Sequence, residues 1–296
     1  MTTRPSDGGP TASESLGTIV IAAHNEELVL GRTLNHFVGL LAHGSVAVVV
    51  ACNGCTDRTA IIARELAGAV VLDLPRPSKT AALRAADRIV SPGPRIYLDA
   101  DIEMTERAAV DTLRALSSGA VAARPVHQFD TTGADWIVRR WYAVREQLPS
   151  IADALWGAGC YGLSEGGRAR FGEFPEVVAD DLFVDTLFTA REISIVATDP
   201  LVVRTPRKVG DLVRIMRRSY RTQSIPGLSA NEPTPTTKML SEGQRGQLWD
   251  LLTLARQPRW LLDVAVYASV IAYARARARL GPAPRWERDT SSRLPN

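Results

Sequence analysis

The sequence has few cysteines, few lysines and no apolar segment at its N-terminus, and each shortage excludes a class of protein. Three cysteines in 296 residues cannot form a disulfide framework, so we expect a chain that folds in a reducing cytoplasm. Residues 1–15 are rich in Ser, Thr, Pro and Gly and lack the apolar core of a secretory signal, which predicts a disordered tail. A net charge of +3 is too small to indicate binding to nucleic acid.

Lysine is scarce as well, so its positions are informative. The chain has three lysines, Lys79, Lys208 and Lys238, and its remaining basic side chains are almost all arginines. An ammonium group is a compact point charge, whereas a guanidinium is a planar fork. Lys79 therefore indicates a position at which a point charge is useful.

Cys52 and Cys55 have the C-x-x-C spacing of a redox pair or of half a zinc site. The second cysteine pair of a zinc site is missing, because Cys160 is the one other cysteine. We interpret Cys52 and Cys55 as small residues packed around a turn at Asn53-Gly54, and not as a catalytic redox pair.

Short apolar runs alternate with helical patterns through the first part of the chain. The predicted strands cover residues 17–23, 46–51, 69–74, 95–99 and 120–123. The predicted helices cover residues 27–41, 57–66, 78–89 and 105–116. Strands that alternate with helices indicate an α/β protein with a mainly parallel sheet flanked by helices.

The alternation changes after Arg124, and this change predicts the domain organisation. An aromatic-rich mixed segment at 126–160 is followed by predicted helices at 182–190 and 209–222 and short strands at 193–196 and 201–204. Pro, Ser and Thr at 226–240 predict a linker. We therefore expect an α/β domain at 16–225, a C-terminal helical extension at 241–280 that Pro258 divides, and a tail at 281–296.

The strand predicted at 95–99 ends in Asp99, and Asp101 follows one residue later. The carboxyl ends of strands are where open α/β sheets bind their ligands. Two carboxylates so close together repel each other unless a proton or a cation lies between them. A hard divalent metal that also contacts substrate phosphates would suit the pair; a turn with two solvated aspartates is the alternative.

Four further polar segments follow predicted strands or open predicted helices. They are residues 22–26, 52–57, 78–84 and the pair Asp180-Asp181. Each alone could be a helix cap, a tight turn or surface charge. Their common placement at crevice positions, in order around Asp99 and Asp101, favours one functional site.

These segments resemble the motifs of the family 2 glycosyltransferases, which have the GT-A fold. Residues 20–26 are similar to V-I-P-A-Y-N-E, residues 50–59 to V-D-D-G-S-T-D-x-T, and residues 78–84 to G-K-x-x-A-L-N. Asp99-Ala100-Asp101 matches D-x-D, Asp180-Asp181-Leu182 resembles E-D-x-x-L, and residues 214–218 resemble Q-x-x-R-W. The resemblance covers about residues 17–225.

The resemblance implies a metal-assisted, inverting transfer of a sugar from a nucleotide-diphosphate-sugar donor to an acceptor hydroxyl. It makes Asp101, with Asp99, the ligands of Mn²⁺ or Mg²⁺, and Asp181 the general base, with Asp180 as a helix cap or support. We expect the N-terminus of the helix at 182–190 to favour the charged form of Asp181. The expected donor-binding residues are Ala22, His24, Glu26, Asn53, Lys79, Arg84, Asp99, Arg217 and Arg221.

The chain departs from the family motifs at several positions. Ala22 replaces the usual proline, His24 the usual tyrosine and Cys52 an acidic residue that commonly meets the nucleobase, so the base is left open among uracil, guanine and thymine. Of Q-x-x-R-W only the arginine remains, as Arg217, which favours single transfers over processive synthesis.

Arg214, Arg217, Arg218 and Arg221 have i, i+3, i+4, i+7 spacing and share one helix face. Like charges at this spacing cost roughly 0.2–0.5 kcal/mol per pair. A bound anion would offset that cost, and a solvated basic surface is the alternative.

The C-terminal helix predicted at 260–274 is apolar apart from Asp263 and shorter than the roughly 20 residues that a membrane span requires. It is expected to cover the catalytic domain. Peripheral contact with the inner face of the cell membrane is a second hypothesis, which would reach a lipid-linked acceptor; it rests on Trp260, Tyr267, Tyr273, Arg275, Arg277 and Arg279.

Two other functions remain to be compared with sugar transfer. A nucleotidyltransferase could use a similar sheet, but it normally has a Gly-rich, Arg-containing loop after the first strand, which residues 22–26 do not supply. A non-catalytic nucleotide-sugar-binding protein would have no need of Asp181 beside Asp99 and Asp101.

Overall fold

The computed structural model describes residues 15–177, 179–222 and 242–280, and within them one seven-stranded sheet is flanked by helices. Its strands are β1 (Thr18–Ala23), β2 (Ala47–Asn53), β3 (Val70–Leu74), β4 (Arg95–Asp99), β5 (Ala122–Asp130), β6 (Cys160–Leu163) and β7 (Ile193–Arg204). The helices of the first half are α1 (Leu30–Asn35), α2 (Val38–Ala42), α3 (Thr59–Glu65), α4 (Lys79–Asp87), α5 (Glu106–Ser117) and α6 (Trp136–Glu146). The later helices are α7 (Pro149–Ala152), α8 (Glu165–Arg168), α9 (Asp180–Asp185), α10 (Val209–Thr222), α11 (Glu242–Ala255) and α12 (Leu261–Leu280).

The strand order is β3-β2-β1-β4-β6-β5-β7. Strand β6 pairs antiparallel with both β4 and β5, and the other described pairs are parallel. The predicted α/β fold with a mainly parallel sheet is therefore confirmed. Because β1, β2 and β4 are parallel neighbours, their carboxyl ends meet at one edge of the sheet.

Both faces of the sheet are covered, as the apolar strands indicated. Alternate residues of a strand point to opposite faces. Ile19 and Ile21 of β1 therefore pack in one core with α1, α2, α3 and α5, whereas Val20 packs in a second core with α4 and α9. The sheet edge is thus held by a core on each side.

Several predicted elements differ in the structure. The strand predicted at 120–123 continues to Asp130 as β5, and the helix predicted at 182–190 is α9, which ends at Asp185. The helix predicted at 27–41 divides into α1 and α2, because Phe37 leaves the helical conformation (φ −112°) and is fully buried. The strands predicted at 193–196 and 201–204 are the two paired ends of β7, with a register shift on β5 between Pro125 and His127.

A third core joins α6, α10 and α12. Trp141 stacks on Tyr267 with ring centroids 5.0 Å apart, and Leu212, Met216 and Val270 pack around them. The C-terminal helix therefore lies on the α/β part of the chain. Tyr267 is buried, so it cannot make the membrane contact predicted for it.

Helix α12 has 20 residues and is longer than the 260–274 predicted. No helix among the described residues is both long and apolar enough to cross a membrane. Three predicted segments lie outside the described residues: the linker at 226–240, the tail at 281–296 and, apart from Ser15, the tail at 1–15. The domain division at 16–225 and 241–280 stays a prediction.

Candidate active site

A cleft of about 630 Å³ opens at the carboxyl ends of β1, β2 and β4, beside the first residues of α4 and α9. Most of the predicted site residues line it, namely Ala22, His24, Glu26, Asn53, Lys79, Asp99, Asp101, Asp180 and Asp181. Residues that are up to 159 positions apart in the sequence are thereby brought to one site.

Lys79 lies at the centre of the cleft because Ser78 caps α4, accepting a hydrogen bond from the Ala81 N–H (3.2 Å). The Lys79 Nζ is 2.6 Å from Asp99 Oδ1 and 2.7 Å from Asp180 Oδ1. Burial alone would lower the pKa of Lys79, but the charges of Asp180, Asp99 and Asp181 outweigh it and hold the pKa above the ordinary lysine value. The ammonium is therefore charged and bridges two carboxylates.

Asp99 and Asp101 lie together at the end of β4. Burial raises the pKa of Asp99 to about 6; Lys79 opposes the rise, and Asp180 and Asp101 add to it. No group of three or more His, Cys, Asp or Glu side chains placed to hold a metal ion occurs among the described residues. Any cation bound by Asp99 and Asp101 would therefore need further ligands from a substrate or from water.

The cleft has a large excess of negative charge. Among its described lining residues, six carry carboxylates and one carries an ammonium group. The carboxylates belong to Glu26, Asp99, Asp101, Glu176, Asp180 and Asp181, and the ammonium to Lys79. An anionic substrate would be repelled from such a cleft unless cations accompany it.

Asp181 lies at the start of α9, where both of its carboxylate oxygens accept backbone bonds. The Gly157 N–H donates to Oδ2 and the Leu182 N–H to Oδ1, each at 2.8 Å. Burial raises the pKa of Asp181, the charge of Asp180 adds to the rise, and Lys79 and the two N–H groups oppose it. The Leu182 N–H at the start of α9 favours the charged form, as expected, but burial and the like charge of Asp180 outweigh it, so the pKa of Asp181 is raised.

Asp180 does not act as the helix cap that was predicted as one of its roles. No side chain caps α9, whose N-cap residue is Ala179. The buried Asp180 carboxylate instead binds Lys79 and accepts a hydrogen bond from the Tyr161 hydroxyl (2.8 Å). Asp180 therefore supports the site as the counter-ion of Lys79.

Asn53 holds the edge of the cleft together. Its Nδ2 donates to the Ala23 carbonyl (2.9 Å) and its Oδ1 accepts from the Ser78 N–H (3.0 Å), which ties β1 and β2 to the start of α4. The His24 ring is hydrogen-bonded through Nδ1 to the Asn53 carbonyl. Since Asn53 is buried and its amide is already bonded, its contribution to donor binding would be to position its neighbours.

Two predicted donor-binding arginines, Arg84 and Arg217, are not among the described residues that line the cleft. The Arg84 Nε donates to the Phe174 carbonyl (2.6 Å), and its guanidinium is 3.9 Å from Glu176, so it supports the segment that carries Glu176 into the cleft. Arg217 lies on α10, and its Nε is buried without a hydrogen-bond partner among the described residues. The side chain of Arg221 lies outside the described residues.

The predicted anion-binding face of α10 is incomplete in the structure. Arg214 forms an ion pair with Asp211 on the same helix, and that carboxylate offsets its charge. The side chain of Arg218, like that of Arg221, lies outside the described residues. Arg217 is therefore the one described member of the set without an acidic partner in the described part of the chain.

Sequence reasoning missed two glycines beside the carboxylates. Gly159 has φ +65°, and a Cβ there would lie 2.6 Å from Ile102 Cγ1 and 3.2 Å from Asp99 Oδ2. Gly157 has φ +83° and donates its N–H to Asp181. The signal in the sequence was the Gly-Ala-Gly run before β6, which indicates a close backbone approach.

The cysteines are free thiols in the structure. Burial foremost, with Cys55 and Asp73 adding to it, raises the pKa of Cys52 to about 12. A thiol with such a pKa forms almost no nucleophilic thiolate at neutral pH. This supports the interpretation of Cys52 and Cys55 as packed residues.

The family model described as Glycosyl transferase family 2 matches residues 18–169, just over half of the chain. The chain belongs to glycosyl transferase family 2. As a member of this family it is a glycosyltransferase, and the matched residues contain the cleft residues that β1, β2, α4 and β4 contribute. Asp180 and Asp181 lie beyond the matched residues. No curated protein sequence matches the chain.

Solved structures of other glycosyltransferases share the fold. Glucosyl-3-phosphoglycerate synthase from Mycobacterium tuberculosis, in complex with Mn²⁺, UDP and glucosyl-3-phosphoglycerate, is 21% identical with a TM-score of 0.52, over 77% of this chain and 88% of that one. The same enzyme with Mg²⁺ and UDP has a TM-score of 0.51 at 21% identity, over 76% of this chain and 86% of that one. A mannosyltransferase from Pyrobaculum calidifontis, in complex with GDP-Man and Mn²⁺, is 19% identical with a TM-score of 0.52, over 95% of this chain and 80% of that one. This similarity supports the predicted GT-A-type fold.

Proposed function

We propose that this family 2 glycosyltransferase moves a sugar from a nucleotide-diphosphate-sugar donor to an acceptor hydroxyl, with inversion and one transfer per acceptor. The observation that carries the proposal is the grouping of Lys79, Asp99, Asp101 and Asp181 in one cleft at the carboxyl edge of the sheet. Nucleotide ligands bind at this edge in open α/β sheets. Structurally similar glycosyltransferases are described with UDP or GDP-Man, which supports this donor class.

The residues present fit a divalent cation, Mn²⁺ or Mg²⁺. Asp99 and Asp101 offer two hard oxygen ligands, and Mg²⁺ is commonly held by one or two carboxylates together with substrate phosphates. The excess of carboxylates over ammonium groups in the cleft also favours a cation. When bound, such an ion would neutralise the charge that develops on the leaving diphosphate.

The remaining donor contacts come from three sides of the cleft. Lys79 supplies the one ammonium group among the described lining residues, suited to a phosphate oxygen. Ala22 near the end of β1, with His24 and Glu26 just after it, would lie along the nucleoside. Asn53 would hold that wall in place through its bonds to Ala23 and Ser78.

Asp181 is the general base in this proposal. A carboxylate oxygen has two lone pairs, and each oxygen of Asp181 uses one of them for a backbone N–H. A second lone pair is left to take the proton of the acceptor hydroxyl as that oxygen attacks the anomeric carbon. The raised pKa makes Asp181 a stronger base than a solvated aspartate.

The single-transfer part of the proposal rests on residues 214–218, where Arg218 stands in place of the tryptophan of Q-x-x-R-W. Processive synthesis needs a site that retains a growing product. Product analysis with a short acceptor would show one added sugar per acceptor if the proposal holds, and a ladder of products if it does not.

The direct test is release of nucleoside diphosphate from UDP- and GDP-sugars in the presence of Mn²⁺ and a panel of alcohol acceptors.

Asp101→Asn should abolish metal-dependent binding of the nucleoside diphosphate in calorimetry and leave the circular dichroism spectrum unchanged. Asp135→Asn, at an exposed position outside the cleft, is the matched control. Unchanged affinity in Asp101→Asn with Mn²⁺ present would contradict the metal assignment.

Release of pyrophosphate would instead indicate a nucleotidyltransferase, and binding without turnover with any acceptor would indicate a non-catalytic nucleotide-sugar-binding protein. Membership of family 2 argues against the first. The carboxylate of Asp181 in the same cleft argues against the second.

A further inference from the structure

Helix α12 is apolar on nearly all sides, but only one side of it is covered. Asp263, Tyr267, Val270 and Ala274 are buried against the rest of the protein. The exposed uncharged residues along the same stretch are Leu261, Leu262, Ala265, Ala268, Ser269, Ala272, Tyr273 and Ala276. At 3.6 residues per turn these eight fall within about 140° of the helix circumference, opposite the buried side. A helix that is apolar all round is ordinarily buried, so this face has the composition of a contact surface.

Helix α11, which precedes α12 across the turn at Pro258–Trp260, also has exposed apolar residues. Leu248, Trp249 and Leu252 of α11 are 65%, 70% and 48% exposed, and Leu261 and Leu262 at the start of α12 are 54% and 56% exposed. So many exposed large apolar side chains on two consecutive helices are unusual for a monomeric protein and indicate an interaction site. The α11–α12 surface is defined here as these five residues with the exposed face of α12.

The exposed charges around the α11–α12 surface have one sign. Five exposed arginines flank it, Arg256 and Arg259 at the turn and Arg275, Arg277 and Arg279 near the end of α12. Two acidic residues lie between positions 248 and 280: Asp250 is half-buried and accepts a hydrogen bond from the Ser150 N–H, and Asp263 is buried in an ion pair with Arg140. The surface is therefore apolar and basic without an exposed acidic residue.

We propose that the α11–α12 surface binds an anionic membrane, with α12 lying in the plane of the headgroup–acyl boundary. Apolar side chains of this kind enter the boundary while arginines at the rim contact anionic headgroups. Spanning is excluded for the described helices, none of which is long and apolar enough. A second copy of the chain fits less well, because a symmetric contact would bring two sets of arginines together with no exposed carboxylate to pair with them.

Helix α12 is connected to the cleft through α10. The guanidinium of Arg275 lies over the ring of Tyr220, 5.2 Å from its centroid, and Ser219 next to Tyr220 lines the cleft. A membrane bound at α12 would therefore present the headgroup of a lipid close to the cleft. The proposal concerns binding alone and does not depend on the proposed transferase reaction.

The test is co-sedimentation of the full chain with vesicles of phosphatidylcholine, and of phosphatidylcholine mixed with phosphatidylglycerol, at low and high salt. The chain should bind the mixed vesicles, and salt should weaken binding because it screens the arginines. A triple variant, Trp249→Gln with Leu261→Gln and Leu262→Gln, should bind at least tenfold more weakly. The matched control carries Ile61→Gln, Val70→Gln and Ile89→Gln, at apolar positions that are about equally exposed elsewhere on the protein.

A second variant separates the charge from the apolar contact. Arg256→Gln with Arg259→Gln should lose most of the preference for phosphatidylglycerol and keep its circular dichroism spectrum. The proposal is overturned if the unmodified chain binds neither vesicle, or if the control triple variant loses binding to the same extent. It is also overturned if the chain is a dimer in sedimentation velocity that the Trp249 triple variant dissociates. Turnover on a water-soluble acceptor should be the same in all three variants.

Discussion

Lys79 is the residue through which the two halves of the cleft are coupled. Its ammonium bridges Asp99, at the end of β4, and Asp180, the neighbour of Asp181 on α9. A rigid, planar guanidinium would not place one nitrogen between two carboxylates in this way, which explains a lysine in a chain rich in arginine. The ion pairs therefore connect the expected donor side of the site with the expected base.

Asp181→Asn tests the assignment of the base. An amide cannot take the acceptor's proton, and general-base assistance is worth on the order of 100–10,000-fold in rate. We expect turnover to fall at least about 100-fold, and the affinity for nucleoside diphosphate, measured by calorimetry, to stay within a few-fold. Turnover at the unmodified rate would show that another group accepts the proton.

Asp180→Asn is the matched comparison for that variant. In this variant Lys79 loses its ion pair with residue 180 but still forms the ion pair with Asp99. The loss in turnover should therefore be smaller than for Asp181→Asn. Stability should fall by about 2 kcal/mol, because a hydrogen bond to a buried charged group contributes that order of free energy. Urea denaturation measures the change; a larger loss of turnover in Asp180→Asn than in Asp181→Asn would reverse the two assignments.

The pH dependence of turnover follows from the same carboxylate. Since the pKa of Asp181 is raised, its ionised form is lost as the pH falls through a value above the roughly 3.9 of a free aspartate. The acid limb of kcat at saturating donor should therefore lie above pH ~4. Nucleoside diphosphate affinity across the same pH range serves as the control, because Asp99 also titrates. A kcat that stays constant down to pH ~4 would contradict the role of Asp181.

At the scale of elements, α7 and the segment after it are held by a fully buried arginine. The Arg124 guanidinium donates to the carbonyls of Ile151, Ala152 and Ala154, and to that of Pro125. Burial lowers the pKa of Arg124 to about 10, which still leaves it charged at neutral pH. The carbonyls at the end of a helix carry partial negative charge, so they stabilise this cation together with the nearby charges of Asp153 and Asp185.

Arg124→Met should loosen the segment that leads to Gly157, whose N–H binds Asp181. Leaving several buried carbonyls without a donor should cost about 4 kcal/mol of folding free energy. Arg139→Met, at an exposed position of α6, should change stability by less than about 0.5 kcal/mol. Equal midpoints for the two variants in urea denaturation would mean that the carbonyls are satisfied without Arg124.

At the scale of the whole molecule, three cores connect the cleft to both ends of the described chain. The third core ties α12 to α10, and α10 reaches the cleft at Ser219. Ligand binding in the cleft should therefore stabilise the protein as a unit.

A thermal-shift screen with nucleoside diphosphates and Mn²⁺ tests this. A ligand at a hundred times its dissociation constant adds roughly 2.7 kcal/mol to the free energy of unfolding. We expect UDP or GDP to raise the unfolding temperature with Mn²⁺ present and to do much less without it. Equal shifts with and without metal would contradict metal-dependent binding, and the Asp101→Asn variant provides the control.

The first half of the fold could be predicted from the sequence, because its signals are local. The boundaries of β1 to β4, the Ser78 cap of α4 and the Thr105 cap of α5 follow from strand composition and from hydrogen bonds within four residues. The parallel arrangement then places the residues after each strand at one edge. Family membership could also be inferred from these segments alone.

The tertiary structure decided the features that depend on residues far apart in the chain. Asp180 binds Lys79 and Tyr161 instead of capping α9, Arg84 turns to the Phe174 carbonyl, and Tyr267 is buried against Trp141. Local patterns could not predict these contacts. From the sequence alone, the same polar or aromatic side chain could cap a helix, face solvent or contact a buried partner. Which of these it meets depends on the packing of α4, α9 and α12 around the sheet, and only that packing sets the burial that raises the pKa of Asp181.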